Sequence, residues 1–525
     1  MRRTTVTKDT LGQAAAIAIL SICVWQAQAA VPGVKGPSFD LTAATGYITQ
    51  PDGASVYSWG YGCNTAPAPS SFLPNAGTFT TSSFCAAGRM QLPGPTLIVR
   101  EGEQVTVTLH NNLPAAAGNT SMLFPGFVVK ATGGVAGALT KEAANSSAGG
   151  LNTVTYSFKA TTPGTHSYYS GTQSDLQIEM GLYGALVVLP SSAPSNCNST
   201  QNDKARTAHS GQTDFRLANA AYDNAATCYD REYLFQFSEL DPLIHAQVEQ
   251  QKDVPCTDPH GCMVVQTEPY KAAYFMINGR SMPDDMDPNY STQYPLQPYN
   301  GNPHLHPGEL TLLRIIGQGR MQHPFHEHAN HVRVLARDGN LQLTPNGNLA
   351  GPLLFTTTTT PGQTIDAIFE WTGKNLNWDV YAHADGKTTD TCTPDALGYN
   401  TGDAATGASN YYEWCADHTK PLESKPFGEI GGGGPVTLPD PNILANGNWY
   451  SGSPYLGPDA TLRAVGLTPI PPFGTIANDP GSEAGFAFMW HSHNEREITT
   501  SNIFPGGMMM MMLVDPWVFS IDESN

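Results

Sequence analysis

The stretch PGPTLIVREGEQVTVTLHNNLP, residues Pro93–Pro114, decides the fold class of this chain. Its second half alternates apolar and polar residues, so that Val105, Val107 and Leu109 share one side of an extended strand. The pattern returns in NPHLHPGELTLLRIIGQG, residues Asn302–Gly319, where Gly-Glu again precedes a run of apolar residues. A strand motif that occurs twice in this form predicts two copies of one β unit.

The two copies also end in similar ways. The first closes with PGTHSYYSGTQ and GLYGALVVLP, and the second with GFAFMWHSHNERE and FPGGMMMMMLVDP. These endings predict a first unit over residues 30–192, a linker over 193–228 and a second unit over 229–525. The second unit is too long for one β-sandwich. Its excess lies in the Gly/Pro/Asp-rich residues 372–484, which we interpret as an insertion or a small extra domain.

Composition agrees with an all-β protein and excludes several partners. The 525 residues include 52 glycines and 41 prolines, and only 14% of residues are charged, which is typical of many short strands joined by turns. The formal net charge of −19 repels nucleic acid and anionic lipid, and it attracts cations. We therefore expect metal ions, and not nucleic acid, as partners. The sequence leaves the oligomeric state open.

The amino terminus has the pattern of a signal peptide over residues 1–29. Arg2, Arg3 and Lys8 precede an apolar run, and the small residues Ala27 and Ala29 follow it. No later stretch is apolar enough to span a bilayer. The prediction is an exported protein that is periplasmic, extracellular or at the cell surface. Whether export uses the general or the twin-arginine route stays open.

Cysteine usage agrees with export. One of the nine cysteines, Cys23, lies in the predicted signal peptide, which leaves an even number for an oxidising compartment. The sequence does not determine which cysteines pair. Pairing of nearest neighbours would give Cys63–Cys85, Cys197–Cys228, Cys256–Cys262 and Cys392–Cys415.

Histidines concentrate in HPFHEHANH, residues 323–331, and WHSHNERE, residues 490–497, which together hold six of the 15 histidines. On a strand, residues two apart point to the same side, so His326 with His328, and His491 with His493, each present two imidazoles to one place. Neutral imidazole binds copper, zinc, iron and nickel. The two triplets predict a four-histidine metal pocket. The alternative is a set of ordinary solvated or hydrogen-bonded histidines.

Other side chains could extend this pocket. His304 and His306 form a further triplet between two prolines, either as accessory ligands or as an ordinary exposed turn. His331 and His383 are more typical of structural histidines. Carboxylates near the imidazoles would open a mixed N/O site suited to manganese, iron or zinc. They are Glu327, Glu495 and Glu497.

These motifs resemble those of the multicopper oxidases, which are built from cupredoxin domains. PGPTLIVREGEQVTV resembles the opening of the family's first domain, and HPFHEH resembles its H-P-x-H-x-H motif. His491-Ser492-His493, followed by Gly507-Met508, resembles its closing H-C-H segment. The layout is most similar to the two-domain laccases. The resemblance implies tandem cupredoxin-like Greek-key β-sandwiches, with a long loop-rich insertion in the second, and copper as the cofactor.

The chain departs from the family at the type 1 copper, which takes in electrons through a cysteine thiolate and two histidines. Ser492 stands where the cysteine is expected, and Glu497 stands where a histidine is expected. Serine cannot supply the soft thiolate of such a site. His323 and Met508 are what remain of the ligand set, and a standard electron-entry site is not expected.

The resemblance also implies a trinuclear centre that is incomplete. The second unit keeps His326, His328, His491 and His493. The first unit reads Met122–Gly126 in place of one triplet, and only His166 survives at the other, Thr165–Tyr169. We therefore expect fewer than four copper ions and no reduction of dioxygen to water by the family's route.

The run Met508–Met512 has two interpretations. Thioethers are soft copper(I) ligands, but the run also occupies the place of a buried final strand. Packing in the core is favoured for most of these residues, with Met508 as the expected ligand because it follows Gly507.

Three functional hypotheses follow. The chain is a copper-binding member of the family with at most limited redox activity, or an oxidase of Mn(II), Fe(II) or Cu(I) that uses a rebuilt site. The third hypothesis is a non-catalytic cell-surface β scaffold. Whether the protein is an enzyme stays open. The metal ligands expected are His323, His326, His328, His491, His493 and Met508, with His304, His306, His331 and Glu497 as further candidates.

Overall fold

A computed structural model describes residues 31–73, 85–192, 194, 197, 216–372, 393–401, 452–455, 485–514 and 521. The predicted signal peptide, His383 and most of the predicted insertion lie outside these residues.

The first part of the chain forms twelve strands among the residues that the structure describes. They are β1 (Gly33–Lys35), β2 (Ser38–Thr49), β3 (Ser55–Cys63), β4 (Phe72–Leu73), β5 (Leu97–Arg100), β6 (Gln104–Asn111), β7 (Lys130–Gly133), β8 (Val135–Ala136), β9 (Lys141–Glu142), β10 (Thr153–Lys159), β11 (Gly164–Tyr169) and β12 (Tyr183–Leu189).

The second part forms thirteen strands within the described ranges. They are β13 (Arg231–Leu240), β14 (Tyr274–Ile277), β15 (His304–Leu305), β16 (Thr311–Gly317), β17 (His323–Glu327), β18 (Val332–Arg337), β19 (Asn340–Leu341), β20 (Leu353–Leu354), β21 (Thr356–Thr359), β22 (Thr364–Phe369), β23 (Gly452–Tyr455), β24 (Gly485–Ser492) and β25 (Met509–Val514).

Each part is a pair of sheets with a core between them. In the first, a sheet ordered β11-β12-β5-β1-β4 packs on one ordered β3-β2-β6-β10-β7. In the second, a sheet ordered β14-β13-β16-β22-β18-β19, with β20 on β18, packs on one ordered β15-β25-β24-β17-β21, with β23 on β24. The strands β8 and β9 form a separate two-stranded ribbon. The all-β class predicted from the sequence is confirmed.

The repeated motif occupies equivalent places in the two parts. The strand β5 runs parallel to β12, just as β15 runs parallel to β25. The strand β6 lies between a parallel partner, β2, and an antiparallel partner, β10, and β16 lies likewise between β13 and β22. Val105, Val107 and Leu109 all point into the first core. The internal repeat seen in the sequence is therefore a repeat of strand pairing.

Helices are few among the residues that the structure describes. The helices are α1 (Ser174–Gln177) and α2 (Pro242–Gln251). Proline at the first turn of α2 and the carboxylate of Asp241, which accepts the Leu243 N–H at 2.9 Å, account for the start of this helix. Neither helix has the length and apolarity that a membrane span needs. Single turns of 3-10 helix lie at Pro69–Ser71, Ala115–Ala117, Ser146–Ala148, Ala225–Thr227 and Asp284–Met286.

Disulfides join the cysteines that are neighbours in sequence. The three pairs are Cys63–Cys85, Cys197–Cys228 and Cys256–Cys262. They are three of the four predicted disulfides, and the fourth, Cys392–Cys415, lies outside the described residues.

A buried ion network joins the two parts. The Arg314 guanidinium, on β16, contacts the Glu232 carboxylate at 2.8 Å and donates to the Thr165 hydroxyl of β11 at 3.1 Å. Asp366 lies 3.7 Å from the same guanidinium and accepts the Thr165 N–H at 3.0 Å. These side chains are almost fully shielded from water. The two carboxylates are therefore compensated by one arginine.

We expect Arg314→Ala to lower the free energy of unfolding by about 3–5 kcal/mol, because Glu232 and Asp366 would stay buried without their cation. Chemical denaturation followed by tryptophan fluorescence measures the change. Arg89→Ala removes an exposed arginine and serves as the control. Equal stability of the two variants would contradict the role assigned to the network.

Candidate metal centre

Two neighbouring strands bring the histidines together. The strands β17 and β24 pair antiparallel, with His326 directly opposite His491. Residues that are directly opposite in such a pair project to the same face of the sheet. His328 lies two residues beyond His326, and therefore projects to that face as well.

Three imidazoles form a cluster of potential ligands. A ring nitrogen from each of His326, His328 and His491 lies within 4.8 Å of the other two, and all three residues are buried. The Nε2 atoms of His328 and His491 are 3.1 Å apart. We call these residues the three-histidine cluster. His493 is exposed beside it, with its ring centroid 4.9 Å from that of His326.

Hydrogen bonds orient the rings of this cluster. The His491 Nδ1 lies 2.7 Å from the carbonyl oxygen of Ser492, which can only accept, so Nδ1 carries the proton. The lone pair of His491 Nε2 then faces His328. The His326 Nδ1 lies 2.8 Å from the Thr356 hydroxyl. Such outer contacts commonly fix the ring orientation of histidine ligands.

The environment keeps two of these imidazoles, those of His326 and His491, neutral. Burial, assisted by the neighbouring His491 and His493, lowers the pKa of His326 to about 4. Burial also lowers the pKa of His491. Neutral imidazole is the form that binds a metal. The donor set therefore fits a copper ion, and it would equally accept zinc.

The nearby carboxylates do not join the three-histidine cluster. Glu327 projects to the other face of β17, where its carboxyl group contacts the Thr357 hydroxyl at 2.6 Å. Burial raises the pKa of Glu327 to about 8, so this group is largely protonated at neutral pH. Glu495 is exposed. No mixed N/O ligand set converges here among the residues that the structure describes.

His323 lies apart from the three-histidine cluster. Its Nε2 is 2.9 Å from a Glu239 carboxylate oxygen, and its Nδ1 is 2.9 Å from a Glu497 carboxylate oxygen. Burial alone would lower the pKa of His323, but hydrogen bonds and charges from the two carboxylates outweigh it and raise the pKa to about 9. The ring is therefore an imidazolium with a proton on each nitrogen.

The methionine run is a core strand for the most part. Met508, Met510 and Met512 are fully buried in the second core, as the alternating pattern predicted. The main chain of Met508 lies next to the candidate ligands. Its N–H donates to the Glu497 carbonyl at 2.7 Å, and its carbonyl accepts from the Ser492 N–H at 2.9 Å.

The further candidate histidines lie elsewhere. His304 and His306 are buried, because β15 pairs with β25 in the second core, so the exposed-turn interpretation of this triplet is wrong. The prolines on either side suggested a loop, but two residues are enough for a short strand. His331 is half-buried, with its ring 5.2 Å from that of Phe355.

The first unit contributes to a cavity of about 410 Å³ at the boundary with the second. Pro125, His166, Ser167 and Tyr169 line its first-unit side, and Asp338 with residues 361–364 lines the other. None of the four histidines of the predicted pocket is among its lining residues; they are His326, His328, His491 and His493. Through this cavity the first unit therefore adds no ligand to the three-histidine cluster.

A network of buried polar side chains on the Nε2 side of His323 was not predicted from the sequence. Glu239 ends β13, and its Oε1 accepts the N–H groups of Arg320 at 2.6 Å and Met321 at 3.0 Å. The Tyr270 hydroxyl donates to Glu179 at 2.7 Å and lies 3.3 Å from Glu239. An acidic residue within the apolar stretch YLFQFSEL was the only available signal.

Comparison with known proteins gives a family match in the first part of the chain. A family model described as multicopper oxidase matches residues 81–193. The predicted resemblance to the multicopper oxidases is confirmed. The matched residues include the strands β5 to β12 of the first pair of sheets. The curated proteins contain no match to the chain.

Solved multicopper oxidase structures are similar to this chain at low identity. The multicopper oxidase mgLAC is 14% identical, with a TM-score of 0.44, over 91% of this chain and 86% of its own. The blue copper oxidase from Nitrosomonas europaea is 15% identical, with a TM-score of 0.42, over 91% of this chain and 85% of its own. Fet3p, a multicopper oxidase that functions in iron import, is 17% identical, with a TM-score of 0.38, over 65% of this chain and 48% of its own. Likenesses this distant say nothing about what the present chain binds.

We expect Glu179→Gln to flatten the pH dependence of stability between about pH 5 and pH 8. Burial raises the pKa of Glu179 to about 8, so the folded chain holds a proton that the unfolded chain has already released. The native protein therefore loses stability as pH rises through this window, on the order of 3–5 kcal/mol in all, and glutamine cannot contribute to that loss. Thermal unfolding across the pH range measures the slope. Asp253→Asn, at an exposed carboxylate, should keep the native slope, and an unchanged slope in Glu179→Gln would contradict the assignment.

Proposed function

We propose that the whole chain is an exported copper-binding protein of the multicopper oxidase family, with oxidoreductase activity limited to metal handling. The observation that carries this proposal is the convergence of three buried imidazoles where β17 and β24 pair. His326, His328 and His491 would hold one copper ion, and His493 would complete the set from the exposed side. Copper bound by imidazoles supplies one-electron redox chemistry.

Copper is favoured over manganese or iron by the donor atoms. Among the divalent ions of the first transition row, copper binds a given site of nitrogen, oxygen and sulfur donors most strongly. A manganese or iron oxidase would call for carboxylate ligands, and Glu327 projects away from the three-histidine cluster. Glu497 contacts His323 instead. Among the residues that the structure describes, a rebuilt Mn(II) or Fe(II) oxidase site therefore lacks its carboxylate ligands, whereas direct oxidation of Cu(I) is compatible with the imidazoles.

The chain lacks the parts needed for reduction of dioxygen by the family's route. Serine at position 492 provides no thiolate for a type 1 copper. Across the boundary cavity the first unit offers a single histidine, His166, whose Nε2 lies 2.9 Å from the Thr162 carbonyl oxygen. A centre with ligands from one side only would hold fewer copper ions than the family's four.

The proposed organisation follows the two sheet pairs. Residues 30–192 and 229–525 would be the cupredoxin-like domains, joined by a linker over 193–228, with residues 372–484 as an excursion from the second. Disulfides persist in oxidising compartments, and the three pairs in the structure support export.

Copper analysis of the purified full chain tests the proposed ligands. We expect wild-type protein to bind copper tightly and the double variant His326→Ala/His491→Ala to lose that copper, because two of three converging imidazoles are gone. Elemental analysis after dialysis measures the stoichiometry. His260→Ala, at an exposed loop, should bind as wild type does. Unaltered stoichiometry in the double variant would reject the site, and wild-type protein without affinity for copper would favour the scaffold hypothesis.

The absorption spectrum tests the missing electron-entry site. Copper-loaded wild-type protein should show no intense thiolate-to-copper band in the visible range, because Ser492 replaces the cysteine and every cysteine that the structure describes is in a disulfide. A titration with Cu(II) followed by visible spectroscopy measures this. An intense band would show that a thiolate reaches the bound copper.

A further inference from the structure

The side chains at the family's type 1 position do come together in this chain, although two of them are changed. His323, Ser492 and Glu497 meet between the two sheets of the second unit, with the main chain of Met508 beside them. Blue copper sites combine a cysteine, two histidines and a weak axial ligand. The backbone positions for such a site are therefore present.

One oxygen atom of Glu497 lies where these side chains converge. The Oε2 atom is 2.9 Å from His323 Nδ1 and accepts a hydrogen bond of 2.5 Å from the Ser492 hydroxyl. A metal ion bound by residues 323 and 492 would have to occupy this same place. The carboxylate blocks it and also holds a proton on the nitrogen that would have to bind the metal.

The support behind His323 has the form found around metal-binding histidines. Its other nitrogen donates to Glu239, whose second oxygen is fixed by two backbone N–H groups. Histidine ligands usually donate their second N–H to a carboxylate or a carbonyl in this way. The Nε2 side of the His323 ring is therefore fixed as it would be in a metal site, and only the groups on the Nδ1 side differ from those of a metal site.

The same carboxylate also fixes the turn that follows His493. Asn494 donates from its side-chain amide to Glu497 Oε1 at 2.9 Å, and its N–H contacts the Ser492 hydroxyl at 3.2 Å. Glu497 therefore connects β17, the end of β24 and the turn that follows β24. A metal bound at this place would make equivalent connections.

We propose that the Glu497 carboxylate replaces a metal ion, and that His323, Glu239, Glu497 and Ser492 form a metal-free ion cluster that two substitutions convert into a thiolate copper site. Replacing Glu497 by histidine frees His323 Nδ1, while Glu239 still holds Nε2. Replacing Ser492 by cysteine supplies the thiolate. This inference does not depend on copper at the three-histidine cluster.

The test compares three variants of the full chain, each titrated with Cu(II) alone. We expect Ser492→Cys/Glu497→His to develop an intense visible thiolate-to-copper band and to bind one copper ion more than wild type. Ser492→Cys should show no such band, because Glu497 still occupies the metal position. The matched control is Ser492→Cys/Glu495→His, which places the new histidine on the same turn at an exposed residue and should also lack the band.

Two results would overturn the proposal. One is an equally intense band in Ser492→Cys alone, which would mean that Glu497 does not block the position. The other is a Ser492→Cys/Glu497→His protein that unfolds cooperatively like wild type but shows no band.

A measurement on unaltered protein decides the matter if that variant does not fold. In ¹⁵N-histidine spectra of the wild type, His323 should carry protons on both ring nitrogens before and after addition of Zn(II), a diamagnetic probe. Loss of either proton on addition of zinc would overturn the proposal. If the wild-type protein bound no metal at the three-histidine cluster, which includes His326, the proposed function would be wrong, but this inference would be unaffected.

Discussion

The register between β17 and β24 is the constraint on which both sites depend. Because side chains alternate along a strand, placing His326 opposite His491 sends His326, His328 and His491 to one face of the sheet. The same register sends Phe325 and Trp490 into the core, where they pack together. A slip by one residue would exchange the two faces, burying imidazoles in the core and exposing the tryptophan. Packing of the apolar side chains therefore fixes the geometry of the polar ones.

Histidines on the two faces of the β17–β24 strand pair differ in protonation state. His326 faces away from the core toward other imidazoles, and burial beside them keeps its pKa low. His323 faces inward between two carboxylates, and the pKa of this ring is raised instead. The first ring offers a lone pair and the second offers only protons. Position on the strand, more than the residue type, decides which histidines can hold a metal.

Features that depend on local pattern could be predicted from the sequence. Alternation predicted the buried faces of β6 and of the methionine strand, and spacing along the chain predicted three disulfides. The contact of Glu239 with His323 could not be predicted, because 84 residues separate the two and nothing local marks Glu239 as a partner. For the same reason the motif suggested His323 as a ligand, since spacing cannot show whether a ring nitrogen carries a proton. The prolines that flank His304 and His306 suggested an exposed turn. The strand β25, from the other end of the second unit, pairs with β15 and buries both histidines.

The arrangement separates metal binding from electron entry. In the H-C-H motif that the closing segment resembles, the cysteine lies between two histidines, so on a strand it projects to the side opposite to theirs. In this chain Ser492 retains that place between His491 and His493, but a hydroxyl bound to Glu497 provides no covalent path for an electron. What remains reachable from solvent is the exposed ring of His493, beside the three-histidine cluster. Under the proposed function, a reductant or copper donor would meet the three-histidine cluster at this exposed ring. The substitutions at 492 and 497 leave the histidines on the opposite face in place, so a metal-binding surface can persist after the electron path is lost.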